Sequence, residues 1–237
     1  MKHRTLVFEE NFKEGVLPNQ ANWDYDVGGG GWGNKELQYY TYAEKDNVVI
    51  KDGKLILSAI KKEMENHPIT SVRLVSRGKQ HWLYGRFEIR AKLPSGIGTW
   101  PAIWMLGIDE EKKGWPHMGE IDIMEHVGRD QDTIHFSLHT AKYNHPKRTQ
   151  ITHTTKIEGV TESFHDYIMD WDEEKISFEV DGVEHCRFLK KDYADSWPFD
   201  QPHYLILNVA IGGGFGGKVD MDCLPASMEI EYIRVYQ

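Results

Sequence analysis

Short segments in which apolar and polar residues alternate recur along the chain, and this pattern restricts the fold most strongly. The run YGRFEIRAKLP (84–94) has the period of two that is typical of a half-buried β-strand. VVIKDGKLIL (48–57) and KISFEVDGVEHC (175–186) each place two apolar runs about an Asp-Gly turn, which predicts two β-hairpins. No stretch sustains a helical period of 3.6 over three turns.

The same pattern predicts further strands in seven segments: 5–8, 101–106, 119–127, 132–140, 164–171, 204–211 and 228–236. Many short strands with almost no helix favour an all-β fold, a sandwich or jelly roll of two packed antiparallel sheets. A chain of 237 residues without repeats or linkers fits one large all-β domain. We therefore predict a single domain over residues 1–237.

Charge and cysteine content narrow the class of partner. The net charge of −9, from 28 basic and 37 acidic residues, disfavours nucleic acid and anionic membranes. No apolar run approaches the roughly 18 residues of a transmembrane helix. The N-terminal run MKHRTLVFEENF lacks the apolar segment of a signal peptide. Cys186 and Cys223 form neither a disulfide framework nor a metal motif.

Two glycine-rich stretches and one histidine pair are further candidates for binding sites. GGGGWG (28–33) and GGGFGG (212–217) fit the loose G-x-G-x-x-G pattern, but no helical pattern follows either, so we interpret them as loops. His135 and His139 share one face of a predicted strand at about 13 Å, too far apart to bind one zinc ion. A structural or substrate-contacting histidine is the better interpretation.

The run GEIDIMEH (119–126) carries three acids. In a regular strand Glu120 and Asp122 share one face, whereas Glu125 points with the isoleucines into the core, where an unpaired carboxylate costs several kcal/mol. A β-bulge, most simply at Met124, returns Glu125 to the face of the other two acids. A solvated strand face is the commoner explanation of such acids, but like charges side by side and apolar flanking residues argue against it.

Two glutamates on one curved strand face suggest a glycosidase. If their carboxyl groups approach the roughly 5–5.5 Å of a retaining enzyme, one attacks the anomeric carbon and the other protonates the leaving oxygen. Asp122 between them would orient the nucleophile. Its negative charge would also raise the pKa of the acid.

Three motifs resemble those of glycoside hydrolase family 16: YGRFEIRAKLP (84–94), WPAIWMLG (100–107) and GEIDIMEHVG (119–128). The longer E-x-D-x-x-E form is similar to the laminarinase-type branch, the endo-β-1,3-glucanases and β-1,3(4)-glucanases. The resemblance implies a β-jelly roll with a substrate cleft across its concave sheet. It implies a retaining endo-β-1,3-glucanase that cleaves laminarin-like polymers without a catalytic cofactor, and it leaves mixed-linkage β-1,3-1,4-glucan open as a substrate.

The resemblance also assigns site residues. It implies that Glu120 is the nucleophile, Asp122 the assisting acid and Glu125 the general acid/base. Three tryptophans match residues that stack on sugar rings in the cleft, although core packing selects the same side chain: Trp100, Trp104 and Trp115.

Polar matches complete the implied substrate site. Asn47 and Arg73 match residues that bind glucose hydroxyls on the glycone side, and His139 matches a histidine near the cleavage point. Phe215 departs from the pattern, because relatives often carry a tryptophan in that loop.

Many relatives hold a structural calcium ion, for which the resemblance implies Glu10, Gly53 and Glu231 as ligands. Glu231 stands where aspartate is usual, and the flexible geometry of calcium tolerates that exchange.

Two rival functions stay open at this point. A galactan hydrolase of the agarase or carrageenase type shares the bulged motif, and a non-catalytic glucan-recognition protein shares the fold. The presence of both glutamates argues against the second rival. Because glucan polymers do not cross membranes, we expect an extracellular or periplasmic monomer whose partner is β-glucan.

Overall fold

A computed structural model describes residues 4–109 and 113–237. Within these ranges the chain forms strands with the following bounds: β1 Leu6–Glu10, β2 Asp24–Tyr25, β3 Gln38–Tyr40, β4 Val48–Lys51, β5 Lys54–Met64, β6 His67–Ser71, β7 Arg73–Val75, β8 Gly85–Lys92, β9 Thr99–Gly107, β10 Glu120–His126, β11 Thr133–His139, β12 Ile151–Lys156, β13 His165–Trp171, β14 Lys175–Val180, β15 Val183–Leu189, β16 His203–Ile211 and β17 Ala226–Tyr236. The helical elements in these ranges are single turns. They comprise the α-helical turn Gly213–Gly216 and 3₁₀ turns at Gly30–Gly33, His145–Lys147, Lys190–Asp192, Ala194–Ser196 and Met221–Cys223.

The strands form two sheets packed face to face. The ten-stranded sheet has the order β15-β14-β13-β8-β17-β5-β6-β3, with β1 beside β17 and β4 beside β5. The seven-stranded sheet has the order β12-β11-β10-β9-β16-β7-β2. Every pair between these strands is antiparallel except β3 with β6, which is parallel. The predicted jelly-roll sandwich is confirmed, with this one parallel pair as a departure from two purely antiparallel sheets.

Alternation places the core between the sheets. In β8, Phe87 and Ile89 are fully buried while Arg86 and Glu88 reach solvent. The facing strands β9, β10 and β16 supply buried aliphatic side chains to the same core cluster. Removing this apolar area from water supplies most of the driving force for packing one sheet on the other.

The predicted hairpins and strands are confirmed, whereas five strands were missed. The hairpins are β4–β5 and β14–β15, each turning at its Asp-Gly pair. Among the missed strands, β2, β3 and β7 span only two or three residues, and β6 and β12 are rich in polar or β-breaking residues. Among the described residues, no helix is long and apolar enough to cross a membrane.

Candidate active site

A cleft of about 570 Å³ lies on the face of the seven-stranded sheet that points away from the core. Side chains from β7, β9, β10 and β16 form its floor, and the loops before β3 and β10 supply its walls. Glu120, Asp122 and Glu125 all line it. The structure thus brings the three predicted acids together at one opening.

A β-bulge in β10 produces this arrangement. Between Asp122 and Glu125 strand β10 advances three residues, whereas β9 advances two, from Trp104 to Ala102. Strand β11 also advances two residues opposite the same segment. One residue of β10 is therefore in excess, which confirms the predicted bulge.

The buried residues at the bulge explain the change of face. Ile123 and Met124 are consecutive, yet both are fully buried in the core cluster. Met124 pairs with Ile103, so the unpaired residue on the β9 side is Ile123. The bulge therefore begins one residue earlier than predicted, and Glu125 still returns to the cleft.

Gly119 allows the chain to pass close to Pro198 and Phe199 where it enters β10. Its φ of +83° is a conformation that other residues rarely adopt. A Cβ atom there would lie 2.8 Å from Pro198 Cγ and 3.1 Å from Phe199 Cε1. Glycine is therefore required immediately before Glu120.

Each glutamate accepts a hydrogen bond from an indole. Trp115 Nε1 donates to Glu120 Oε2 at 2.6 Å, and Trp100 Nε1 donates to Glu125 Oε1 at 3.0 Å. On the other side, His139 Nε2 lies 3.7 Å from Glu120 Oε1. These contacts fix both carboxyl groups in the cleft.

Burial and mutual repulsion raise the pKa values of the acids. Burial, reinforced by Asp122, raises the pKa of Glu125 to about 8. Burial and the charge of Glu120 raise the pKa of Asp122 to about 7. Burial also raises the pKa of Glu120, while His139 and the Trp115 hydrogen bond oppose the rise. At neutral pH, Glu125 is thus suited to carry a proton, while His139 and Trp115 favour the ionised form of Glu120.

His139 supplies a positive charge next to the acids. Burial alone would lower its pKa, but Glu120, Asp122 and Glu125 outweigh burial and raise the pKa to about 9. Its Nε2 lies 3.3 Å from Asp122 Oδ2. One ligand atom each of Glu120, Asp122 and His139 lie within 4.8 Å of one another, a spacing that could also hold a metal ion. Two carboxyl groups with a raised acid pKa can equally perform acid-assisted nucleophilic displacement.

Arg73 lines the cleft between two aromatic rings. Its guanidinium carbon lies 4.9 Å from the ring centroid of Trp32 and 4.7 Å from that of Trp104. Its Nε lies 3.1 Å from Asp26 Oδ2. Cation–π contacts and this ion pair hold the guanidinium at the cleft surface. Its contact with sugar hydroxyls stays a prediction.

The prediction that Asn47 contacts the substrate is not supported by its position. Its side chain is 1% exposed and does not line the cleft. Asn47 Oδ1 accepts from Thr41 Oγ1, while Nδ2 donates to Ser58 O and Thr70 Oγ1. These bonds make Asn47 a buried connector of strands rather than a ligand for glucose.

Several cleft residues were missed by sequence reasoning. Trp32 lies in the glycine-rich stretch that we interpreted only as a loop. Asn208 interrupts the apolar run 205–211 of β16, and its Oδ1 accepts from Trp104 Nε1 at 2.7 Å. Glu36 accepts hydrogen bonds from Asn34, Gln38 and Tyr40. A polar residue in the middle of an apolar run was the signal that could have revealed Asn208.

Phe215 occupies the loop where relatives often carry tryptophan. Its ring packs edge-on against Trp100 with centroids 5.4 Å apart, and against His135 at 4.9 Å. Phe215 therefore braces the side of the cleft next to Glu125.

Two of the three predicted calcium ligands, Glu10 and Glu231, accept hydrogen bonds from neighbouring side chains. Glu10 Oε1 accepts from Asn22 Nδ2 at 2.6 Å, and Glu231 Oε2 accepts from Arg90 Nε at 2.8 Å. Gly53 and Glu231 line a shallow surface cavity together with three cationic side chains, and Glu10 is not part of that lining. The structure therefore brings Gly53 and Glu231 together but not Glu10, and calcium binding stays a prediction.

Comparison with known proteins agrees with the geometry. The sequence model described as Glycosyl hydrolases family 16 matches residues 35–234. A beta-glucanase of Rhodothermus marinus is 47% identical over 246 residues, covering 99% of this chain and 86% of that protein. An endo-1,3-1,4-beta-glycanase, EglC, of Rhizobium meliloti (strain 1021) is 32% identical, covering 98% of this chain and 51% of that protein.

A solved structure supports the same relationship. The X-ray structure of the laminarinase from Rhodothermus marinus superposes with a TM-score of 0.96 at 46% identity, covering 99% of this chain and 98% of that chain. The fold and the arrangement of strands around the cleft are thus shared with an enzyme structure over nearly the whole length.

Proposed function

The chain belongs to glycosyl hydrolase family 16, and from this membership we propose that it is a retaining, endo-acting β-1,3-glucanase that cleaves laminarin-like polymers. The observation that carries the proposal is the bulge in β10, which places Glu125 in the same cleft as Glu120 and Asp122. The relative from Rhodothermus marinus and the laminarinase structure support the choice of substrate.

The first displacement uses both glutamates. Glu125, which is protonated at neutral pH because its pKa is about 8, donates its proton to the glycosidic oxygen. The ionised Glu120 attacks the anomeric carbon, the bond to the leaving sugar breaks, and a covalent glycosyl-enzyme forms.

The second displacement reverses the roles. Once Glu120 is esterified its negative charge is gone, and water enters where the leaving sugar was. Glu125, now a carboxylate, takes a proton from that water as the water attacks the anomeric carbon. Glu120 leaves, and the product regains the β configuration.

Asp122 and His139 support the nucleophile. His139 beside Asp122 and Glu120 offsets the repulsion between the two carboxylates. Two carboxyl groups suffice for double displacement, and the chemistry needs no cofactor. A structural calcium ion at Glu10, Gly53 and Glu231 would have to compete with the hydrogen bonds that Glu10 and Glu231 already accept from neighbouring side chains.

The lining of the cleft fits a neutral polymer. Trp104 and Trp115 offer ring surface for the apolar faces of glucose, and Arg73 offers donors for hydroxyl groups. The similarity to a 1,3-1,4-glycanase supports mixed-linkage glucan as a second substrate. Since such polymers stay outside cells, we propose that the chain acts outside the cytoplasm, as one domain and as a monomer.

The experiment is a panel of purified polysaccharides with analysis of reducing ends and product size. We expect rapid release of oligosaccharides from laminarin, slower release from lichenan and none from agarose or carrageenan. Proton NMR of the first products should show the β anomer before mutarotation. Release only from a galactan would favour the galactan hydrolase, and no release from any polymer would favour a recognition protein.

A further inference from the structure

Two cleft tryptophans direct their indole N–H groups at the two catalytic glutamates. Trp115 donates to Glu120 Oε2 at 2.6 Å and Trp100 donates to Glu125 Oε1 at 3.0 Å. Trp104, the third, donates instead to the neutral amide of Asn208. Stacking on sugar rings, the role expected of all three, does not account for this difference.

The two indoles are held in place by packing. Trp100 meets the ring of Phe215 at 87° with centroids 5.4 Å apart. Trp115 lies 5.1 Å from the ring of His145 and packs against a small apolar cluster that includes Met118. The direction of each N–H group is therefore set by the protein before substrate binds, which is the condition for electrostatic preorganisation.

We propose that Trp100 and Trp115 are positioning residues that select which oxygen of each catalytic carboxyl group reacts. Each indole occupies one oxygen, leaving Oε2 of Glu125 and Oε1 of Glu120 for the sugar. This inference rests on the roles of the two glutamates proposed above.

For Glu125 the consequence is a directed proton. The carbonyl oxygen of a protonated carboxyl group is a better acceptor than the hydroxyl oxygen, so the N–H donor at Oε1 favours the acidic proton on Oε2. When that proton passes to the glycosidic oxygen, Glu125 becomes an anion, and the indole hydrogen bond becomes charge-assisted and stronger. Trp100 therefore favours the state that the first displacement creates.

For Glu120 the indole hydrogen bond from Trp115 affects the free enzyme, before any proton is transferred. The donor at Oε2 favours the ionised form, which opposes the effect of burial on the pKa. It leaves Oε1, which lies 3.7 Å from His139 Nε2, as the attacking oxygen. Trp115 therefore keeps the nucleophile competent at lower pH.

The test compares the pH profiles of kcat/KM on laminarin for Trp100→Phe, Trp115→Phe and the matched control Trp104→Phe. The acidic limb reports ionisation of Glu120 and the alkaline limb loss of the Glu125 proton. Removing a donor that favours the anion raises the pKa, so we expect Trp115→Phe to move the acidic limb up and Trp100→Phe the alkaline limb up. Each shift should be about one pH unit. Trp104→Phe should raise KM and move neither limb.

A second readout separates positioning from stacking. An aryl β-laminaribioside with a dinitrophenolate leaving group needs little proton donation. Trp100→Phe should therefore lose about tenfold more activity on laminarin than on this substrate. Replacing Trp100 by benzothienylalanine, which keeps the bicyclic ring and lacks the N–H, should reproduce the limb shift even if the phenylalanine variant folds poorly.

The outcomes are distinguishable. If all three variants raise KM equally and both limbs stay in place, the tryptophans only stack on sugars and the inference is overturned, while the glucanase function stands. If the wild-type protein releases nothing from any glucan, the proposed function fails first, and the inference fails with it.

Discussion

Glu125 illustrates how a single residue can serve function at the expense of stability. Its side chain is partly buried in the cleft, where Asp122 repels its charged form and Trp100 donates one hydrogen bond. Its pKa is about 8 in the folded protein, against an ordinary value of 4.5. Ionising this group at neutral or alkaline pH therefore costs the folded state free energy that the unfolded chain does not lose.

Stability should accordingly depend on pH through this residue. Between pH 4.5 and about 8 the folded protein keeps a proton that the unfolded chain releases, so stability falls as the pH rises through that window. Glutamine is neutral throughout, and we expect Glu125→Gln to raise Tm by about 5 °C at pH 8 and to leave Tm unchanged near pH 4.5. Thermal unfolding followed by circular dichroism at several pH values measures this.

The control is Glu158→Gln, since Glu158 is exposed on the surface. It should show no comparable pH dependence. A Glu125→Gln protein that is less stable than wild type at pH 8 would mean that the carboxyl group is not destabilised in the cleft.

For single residues, the sequence could not distinguish two roles that require the same type of side chain. The acids and the cleft position of Arg73 could be predicted because an unpaired buried carboxylate and a matched motif constrain them. Asn47 could not, because an amide serves equally as a sugar ligand and as a buried connector. The indole hydrogen bonds of Trp100 and Trp115 could not either, because stacking and donating require the same side chain.

Strand β10 shows how one extra residue changes the chemistry of an element. Two consecutive side chains, Ile123 and Met124, enter the core, and the next acid faces the cleft. Parity alone predicted this bulge from the sequence. Its start at Ile123 could not be predicted, because it depends on pairing with β9 and β11, which lie elsewhere in the chain. The shortest strands were missed for the same reason.

Removing a residue from β10 should reduce activity much less than adding one. Deleting Ile123 makes β10 advance by two residues where β9 and β11 also advance by two, so Glu125 stays opposite Ala102 in a regular ladder. We expect that variant to fold with lower stability, because one buried side chain is lost, and to keep measurable activity on laminarin.

Inserting one alanine after Met124 displaces Glu125 in either pairing. With the bulge retained, Glu125 lies opposite Pro101 and points toward the core, and in a regular ladder it lies opposite Trp100, two positions further from Glu120. Both results should reduce kcat/KM by at least about 10³-fold.

Activity assays with circular dichroism on both variants decide the point, with Glu125→Ala setting the inactive baseline. An insertion variant as active as wild type would contradict the account of the bulge.

The whole molecule uses two sheets for different tasks. The ten-stranded sheet closes the core and carries charged residues on its outer face, including the pair Arg86–Glu179. The seven-stranded sheet packs its inner face on that core and builds the cleft on its outer face. The all-β sandwich followed from the period-two pattern, but the strand order did not, because pairs such as β1 with β17 join opposite ends of the chain.

The most direct test of the central claim, that Glu125 is the acid/base delivered to the cleft by the bulge, is azide rescue of Glu125→Ala. With an activated aryl β-laminaribioside and sodium azide, the enzyme should recover activity, because azide needs no base and attacks the glycosyl-enzyme on Glu120. Proton NMR should identify the product as the β-glycosyl azide. An α-glycosyl azide would instead make Glu125 the nucleophile, and full activity without azide would remove it from the mechanism.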